Sequence, residues 1–290
     1  MTAPQNEAPS SCVGLIGAGH MGSGLGWALR EGGVRVVTTL AGRSPRTARL
    51  VAAAGLEELA DLDEVVRVAS HLLVVTPPGA AVAAATSIAA AARRTGAGPL
   101  VADLNAISPA TVDIVAERLA PLELVDGSIS GAPPTVAPGA RIYFSGPRAA
   151  SFVGLPWRGV QPILVGPKIG SASAVKMSTA SVYKGLTGLY AQAMRSADHY
   201  GVLDTVLADL LESELDPVRA VAVAATKAHR FVDEMREISA AQAGAGLTPD
   251  LFAAFAQIYA NIAETPLAQG DPESVSGRLT ADQVAEKLRP

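Results

Sequence analysis

Through the first 166 residues, short apolar runs alternate with amphipathic stretches. Residues 13–16 (VGLI), 34–40 (VRVVTTL), 71–76 (HLLVVT), 100–103 (LVAD) and 122–125 (LELV) have the length of strands in a buried parallel sheet. Between them, residues 21–30, 45–54, 61–68, 80–93 and 108–119 read as helices. Gly55 is a stop signal for the second of these, and Ser108-Pro109 opens the last with proline at its first position. Pro77, Pro78 and Gly79 form a turn that continues neither strand nor helix. Residues 126–134 (DGSISGAPP) read as a polar glycine loop, and 141–145 and 160–164 as late, antiparallel strands. From residue 171 no strand-like run recurs. Residues 171–200 read as one long helix, followed by helices over 203–214, 217–241, 249–265 and a short 281–288. The fold class is therefore α/β: a doubly wound sheet, then an all-α C-terminal domain joined to it by a long helix.

The stretch after the first strand carries the first chemical signal. Gly17, Gly19 and Gly22 stand in the spacing G-x-G-x-x-G, with Ala18, His20 and Met21 between them, and a helix follows at once. This is the Rossmann-type arrangement for a dinucleotide pyrophosphate. One glycine makes the tight turn, the next leaves room for the phosphates, and the third lets helix and strand approach. The helix N-terminus offers N–H groups and a positive dipole end. After the second strand an NAD-specific fold would carry an Asp or Glu for the ribose 2′-hydroxyl. Here the chain runs Ala41, Gly42, Arg43, Ser44, Pro45, Arg46. Arg43, Ser44 and Arg46 suit a 2′-phosphate, so NADP (NADPH) is the expected cofactor. The turn at Thr76 and Pro77 lies at the carboxyl end of its strand, beside the expected nicotinamide half.

Composition narrows the class further. The 290 residues are 49% hydrophobic and 17% charged, with a formal net charge of −4. No basic run points to nucleic acid and no apolar run reaches membrane-spanning length. The one cysteine, Cys12, excludes a disulfide framework and a zinc cluster, and no metal site is expected. Residues 1–10 read as a disordered tail without a signal-peptide pattern, so a cytoplasmic protein is expected.

Four segments, in order, resemble the β-hydroxyacid dehydrogenase superfamily, which includes 3-hydroxyisobutyrate and 6-phosphogluconate dehydrogenases. GLIGAGHMG resembles its cofactor loop, DLNAISP (103–109) a loop after a later strand, DGSISGAPP its substrate loop, and GSASAVKMSTAS (170–181) its catalytic helix. The helical second half resembles a branch with a short C-terminal domain. The resemblance implies an NADP-binding Rossmann domain over 11–168 and an α-helical substrate and dimerisation domain over 169–290.

It also implies hydride transfer between NADP(H) and a small hydroxy acid or oxo acid. Lys176 then acts as general acid/base, with its pKa lowered by partial burial. Ser130 with the N–H groups of Gly131 and Ala132 would hold the substrate's carboxylate or carbonyl oxygen, and Asn105 the nicotinamide ribose or the substrate. Two departures bear on the substrate. The family's asparagine after the lysine is absent, with Thr179 and Ala180 there instead, and Ala132 replaces a glycine. His229, in the stretch carrying Lys227, Arg230, Phe231 and Met235, is a further substrate-side candidate, although a lone helical histidine is often structural. Lys184 reads as a solvated lysine. Two other readings share the scaffold: an imine reductase, whose relatives commonly carry Asp or Tyr at the lysine position, and a non-catalytic NADP-binding protein. A homodimer is expected from the apolar faces of the helical half.

Overall fold

A computed structural model of the chain describes residues 12–270 and 279–289, so the expected tail at 1–10 lies outside the described residues. The first compact unit, Met1–Lys176, begins with β1 (Cys12–Ile16), α1 (His20–Arg30), β2 (Arg35–Thr39), α2 (Pro45–Ala54), β3 (Glu57–Leu59) and α3 (Leu62–Val68). It continues with β4 (His71–Val74), α4 (Ala81–Thr95), β5 (Leu100–Asp103), α5 (Pro109–Leu119), β6 (Leu124–Ser130), β7 (Ala140–Ser145), α6 (Ala150–Val153) and β8 (Val160–Gly166). The second, Met177–Pro290, holds most of α7 (Ser171–His199), then α8 (Leu203–Glu212), α9 (Pro217–Ala225), α10 (Ala228–Gly244), α11 (Asp250–Ala263) and α12 (Ala281–Leu288).

The eight strands lie in the order β3-β2-β1-β4-β5-β6-β7-β8, parallel through β6. Chain order reverses between β1 and β4, which makes the carboxyl ends of those strands the switch point where ligands bind. The strands are apolar because both faces are covered. Val13 and Leu15 join the layer built with Leu25 and Leu29 of α1 and Phe152 of α6. Cys12 and Ile16 join the opposite layer with Val65 of α3, Ile88 of α4 and Val115 of α5. Cys12 is a buried thiol, and burial raises its pKa.

Several expectations needed correction. The segment 126–134 is not a loop throughout, because Asp126–Ser130 completes β6 and pairs antiparallel with β7. Gly127 there serves close approach, since Leu104 occupies the space that a Cβ would need. β7 runs antiparallel to β6, but β8 is parallel to β7. The edge strand β3 and the short α6 carry too few residues to show a period. The stretch 217–241 is not one helix. It breaks at Thr226 and Lys227, where Lys227 N–H bonds Ala224 O and Arg230 N–H bonds Lys227 O, one residue short of the α-helical reach.

In the second unit Tyr259 of α11 is fully buried, and its hydroxyl donates to Lys184 O at 2.7 Å. The short α12 opens with a Thr280–Gln283 capping box. Among the described residues no helix is long and apolar enough to cross a membrane.

Candidate active site

β1 is followed by Gly17, whose φ of 92° only glycine adopts at low cost. A Cβ at Gly17 would collide with Val75 O, and one at Gly22 with Gly17 O. A Cβ at Gly19 would meet nothing within 4 Å. Gly17 and Gly22 are therefore needed by the fold itself, whereas Gly19 borders open space at the start of α1. Gly19 is also the N-cap of α1, and no side chain caps that helix. A cradle kept clear of side chains at an uncapped helix N-terminus fits a dinucleotide pyrophosphate. Ala18 is buried in the apolar layer and offers the loop only its backbone. His20 and Met21, both half-buried, open α1.

The neighbouring parallel strand β2 leads to Arg43, which is exposed, and to Ser44, which caps α2 by accepting from Thr47 N–H at 3.3 Å. That bond uses a lone pair of the hydroxyl and not its proton. Arg46 lies half-buried in the first turn of α2.

Across the switch point, Asn105 Oδ1 accepts from Thr76 N–H at 2.6 Å and from the Thr76 hydroxyl at 3.3 Å. Asn105 N–H and Nδ2 donate to the two carboxyl oxygens of Asp103, at 2.9 and 3.0 Å. Asn105 is only 2% exposed, so it ties the end of β5 to the turn after β4. Expected to hydrogen-bond the nicotinamide ribose or the substrate, Asn105 here braces Thr76. Pro77, next to it, is exposed. Burial, with the Asp126 charge on the adjacent strand adding to it, pushes the Asp103 pKa up to about 7 against the hydrogen bonds from Asn105.

β6 carries Asp126, Ser128 and Ser130 on one face, and the start of α7 is fastened to that face. Asp126 accepts from the Ser173 hydroxyl at 2.6 Å, Ser173 N–H at 3.1 Å and the Ser145 hydroxyl at 2.8 Å. Ala172 N–H donates to Ser145 Oγ, and the Ser128 hydroxyl to Ala172 O. Asp126 thus supplies an anion to the N-terminus of α7, where the helix dipole favours one. Its pKa is nonetheless raised, because burial outweighs those hydrogen bonds.

One turn along α7, Lys176 Nζ donates to Ile129 O at 2.7 Å, directly before Ser130. Lys176 is partly buried, and desolvation lowers its pKa. Ser130 is half-buried, and Gly131 and Ala132 are exposed, with Gly131 at φ 118°. The arrangement brings an amine of lowered basicity beside a hydroxyl and a glycine turn whose N–H groups can receive an anion.

Residues 12–164, more than half of the chain, match the family described as the NAD binding domain of 6-phosphogluconate dehydrogenase. The chain belongs to the β-hydroxyacid dehydrogenase-like superfamily. Residues 197–262 match a second family described as a domain of unknown function, DUF1932. An uncharacterized 28.5 kDa protein of Methanothermus fervidus is 24% identical over 202 residues, 70% of this chain and 77% of that one. The solved structure of MTH1747, a conserved protein of unknown function described as similar to 3-hydroxyacid dehydrogenases, is 28% identical, with a TM-score of 0.63 over 87% of this chain and 96% of that one. The fold is shared by 3-hydroxyisobutyrate dehydrogenase of Mycobacterium tuberculosis (20% identity, TM-score 0.66, 97% and 99% covered). It is also shared by an imine reductase of Myxococcus stipitatus solved with NADP+ (20% identity, TM-score 0.54, 87% and 93% covered). Membership supports oxidoreduction with a nicotinamide dinucleotide as the class of reaction.

Two expected substrate-side residues of this superfamily member belong to the helical unit. Thr179 is exposed on α7, and His229 is exposed in the first turn of α10, its pKa lowered by desolvation and by Arg230. Lys184 is not solvated as expected. It is largely buried, paired with Glu234, and lies 4.2 Å from the centre of the Phe231 ring. Sequence reasoning gave no role to Asp103, Asp126, Ser145 or Ser173. The available signal for the two acids was an Asp directly after each of two apolar runs, LVA and LV.

Proposed function

We propose that this protein transfers a hydride between NADP(H) and a small hydroxy acid or oxo acid, with Lys176 as general acid/base. The observation that carries the reading is the 2.7 Å bond from Lys176 Nζ to Ile129 O. It holds the amine beside Ser130, while burial keeps its pKa below the ordinary lysine value. When bound, the cofactor supplies or accepts the hydride. In the reducing direction, protonated Lys176 donates its proton to the carbonyl oxygen as negative charge develops there. In the oxidising direction, neutral Lys176 takes the hydroxyl proton. Ser130 and the N–H groups of Gly131 and Ala132 orient the substrate's oxygens. Asn105 fixes Thr76 and Pro77 behind the nicotinamide half. Arg43, Ser44 and Arg46, with no carboxylate among them, support a 2′-phosphate and hence NADP.

The test is consumption of NADPH, with NADH in parallel, against 2-oxo acids, 3-oxo acids and cyclic imines. Oxo-acid turnover that prefers NADPH and is lost in Lys176→Met supports the reading. Arg43→Ala should remove the NADPH preference. Turnover of imines alone overturns it, as does tight NADPH binding without turnover of any of them. The exposed stripe Val182, Tyr183, Leu186 and Leu189 on α7 supports a homodimer. Light scattering of the full chain and of Leu186→Glu tests that assembly.

A further inference from the structure

We propose that Arg141 is the cation that receives the substrate's carboxylate, and that it sets the substrate class as a small organic anion. This rests on the reading of Lys176 and Ser130 above. In the β6–β7 ladder Ser130 pairs directly with Arg141. Side chains directly opposite in such a ladder stand on the same face with Cβ atoms about 5 Å apart.

The face is fixed twice over. Ala140, Ile142 and Phe144 enter the apolar layer shared with α1 and α6, so Arg141, Tyr143 and Ser145 point the other way. Ser145 on that face bonds Asp126 and Ala172 N–H, at the start of α7. Arg141 therefore stands on the face to which the Lys176 helix is fastened, across from the residue that follows Ile129.

The charge has no structural occupation. Arg141 is exposed in an otherwise apolar stretch of an interior strand, and no ion pair or side-chain hydrogen bond engages it among the described residues. Nor can it serve the cofactor's 2′-phosphate in place of Arg43. Five strand spacings separate β2 from β7, about 24 Å at ordinary sheet spacing. Arg43 and Arg46 stand on one side of the switch point and Arg141 on the other, where, beside Ser130, it can present two parallel N–H donors to a carboxylate. A cation there also disfavours a protonated imine, which separates this site from C=N reduction.

The experiment titrates tartronate, a small hydroxy diacid, into the full chain loaded with NADP+. It follows heat in the wild type, Arg141→Gln, Arg141→Lys and Lys176→Met. Tartronate affinity is expected to fall about 10- to 100-fold in Arg141→Gln and to recover only partly in Arg141→Lys, with NADP+ affinity unchanged in both. Equal tartronate affinity in wild type and Arg141→Gln overturns the proposal, as does a wild type that binds no tartronate. Unaltered turnover of Lys176→Met in the NADPH-consumption assay would defeat the lysine mechanism instead, while the tartronate comparison at Arg141 still decides the carboxylate site.

Discussion

The Ser173 hydroxyl donates a 2.6 Å hydrogen bond to Asp126, three residues before Lys176 on the same helix. The bond joins the strand that carries Ser130 to the helix that carries the amine, so it fixes where Nζ lies relative to Ile129 O. Ser173→Ala should destabilise the fold by about 1.5–3 kcal/mol, the range for a hydrogen bond to a charged group. It should lower kcat more than it raises KM, because a displaced amine harms proton transfer before it harms binding. Ser173→Thr keeps the hydroxyl and should restore kcat. Equal effects of the two variants would reduce the bond to a fold contact.

The lowered pKa of Lys176 sets a sign for each direction of the reaction. Reduction needs the protonated amine, so its rate should fall as pH rises through the lysine pKa. Oxidation needs the neutral amine and should rise through the same point. Both inflections should lie below the ordinary lysine value of about 10.4. Lys176→Met should abolish both and cost 10²–10⁴ in kcat, the usual contribution of a positioned acid or base. A pH profile indifferent to this substitution would show that the proton comes from elsewhere.

The three glycines of the first turn should separate in their effects. Gly17→Ala strains a positive φ and meets Val75 O, so it should destabilise the fold by about 1–3 kcal/mol or more. Gly22→Ala meets Gly17 O and should do likewise. Gly19→Ala adds a methyl where nothing lies within 4 Å. Thermal melting should therefore leave it near wild type, while NADPH titration by fluorescence should show at least a tenfold loss. Unimpaired binding in Gly19→Ala would remove the pyrophosphate from this turn.

The alternation of strand and helix was legible because each element must bury an apolar stripe or two apolar faces, and its periodicity records that. The switch point followed from the glycine spacing, and the helix over Pro45–Ala54 follows Ser44 and Gly55 residue for residue. Local pattern fell short where non-local pairing decides. Asp126–Ser130 looks like a loop because polar residues and a glycine dominate it, yet β7 recruits it as strand. Lys184 looked solvated because its partner Glu234 lies fifty residues away in sequence. Nothing near Asn105 in sequence announces its bond to Thr76, so only its contact with the nicotinamide ribose or the substrate was expected.

Asp103 gives the chain a pH-dependent stability of opposite sign to a salt-bridged carboxylate. Its folded pKa is about 7, against about 3.9 in an unfolded chain. Between those values the folded state binds the proton that the unfolded state has released. Stability therefore declines as pH rises from about 4 to about 7, and above that the cost of the buried charge is fully present. The cause is burial first, with a smaller contribution from Asp126, which pairs in register with Asp103 on the adjacent strand. Urea titrations of the wild type across pH 5–8 should show this decline. Asp103→Ala should flatten it even though it loses the Asn105 contacts and is less stable at low pH. A decline of the same slope in Asp103→Ala would assign the titration to another buried group, of which Asp126, with its own raised pKa, is the first to substitute.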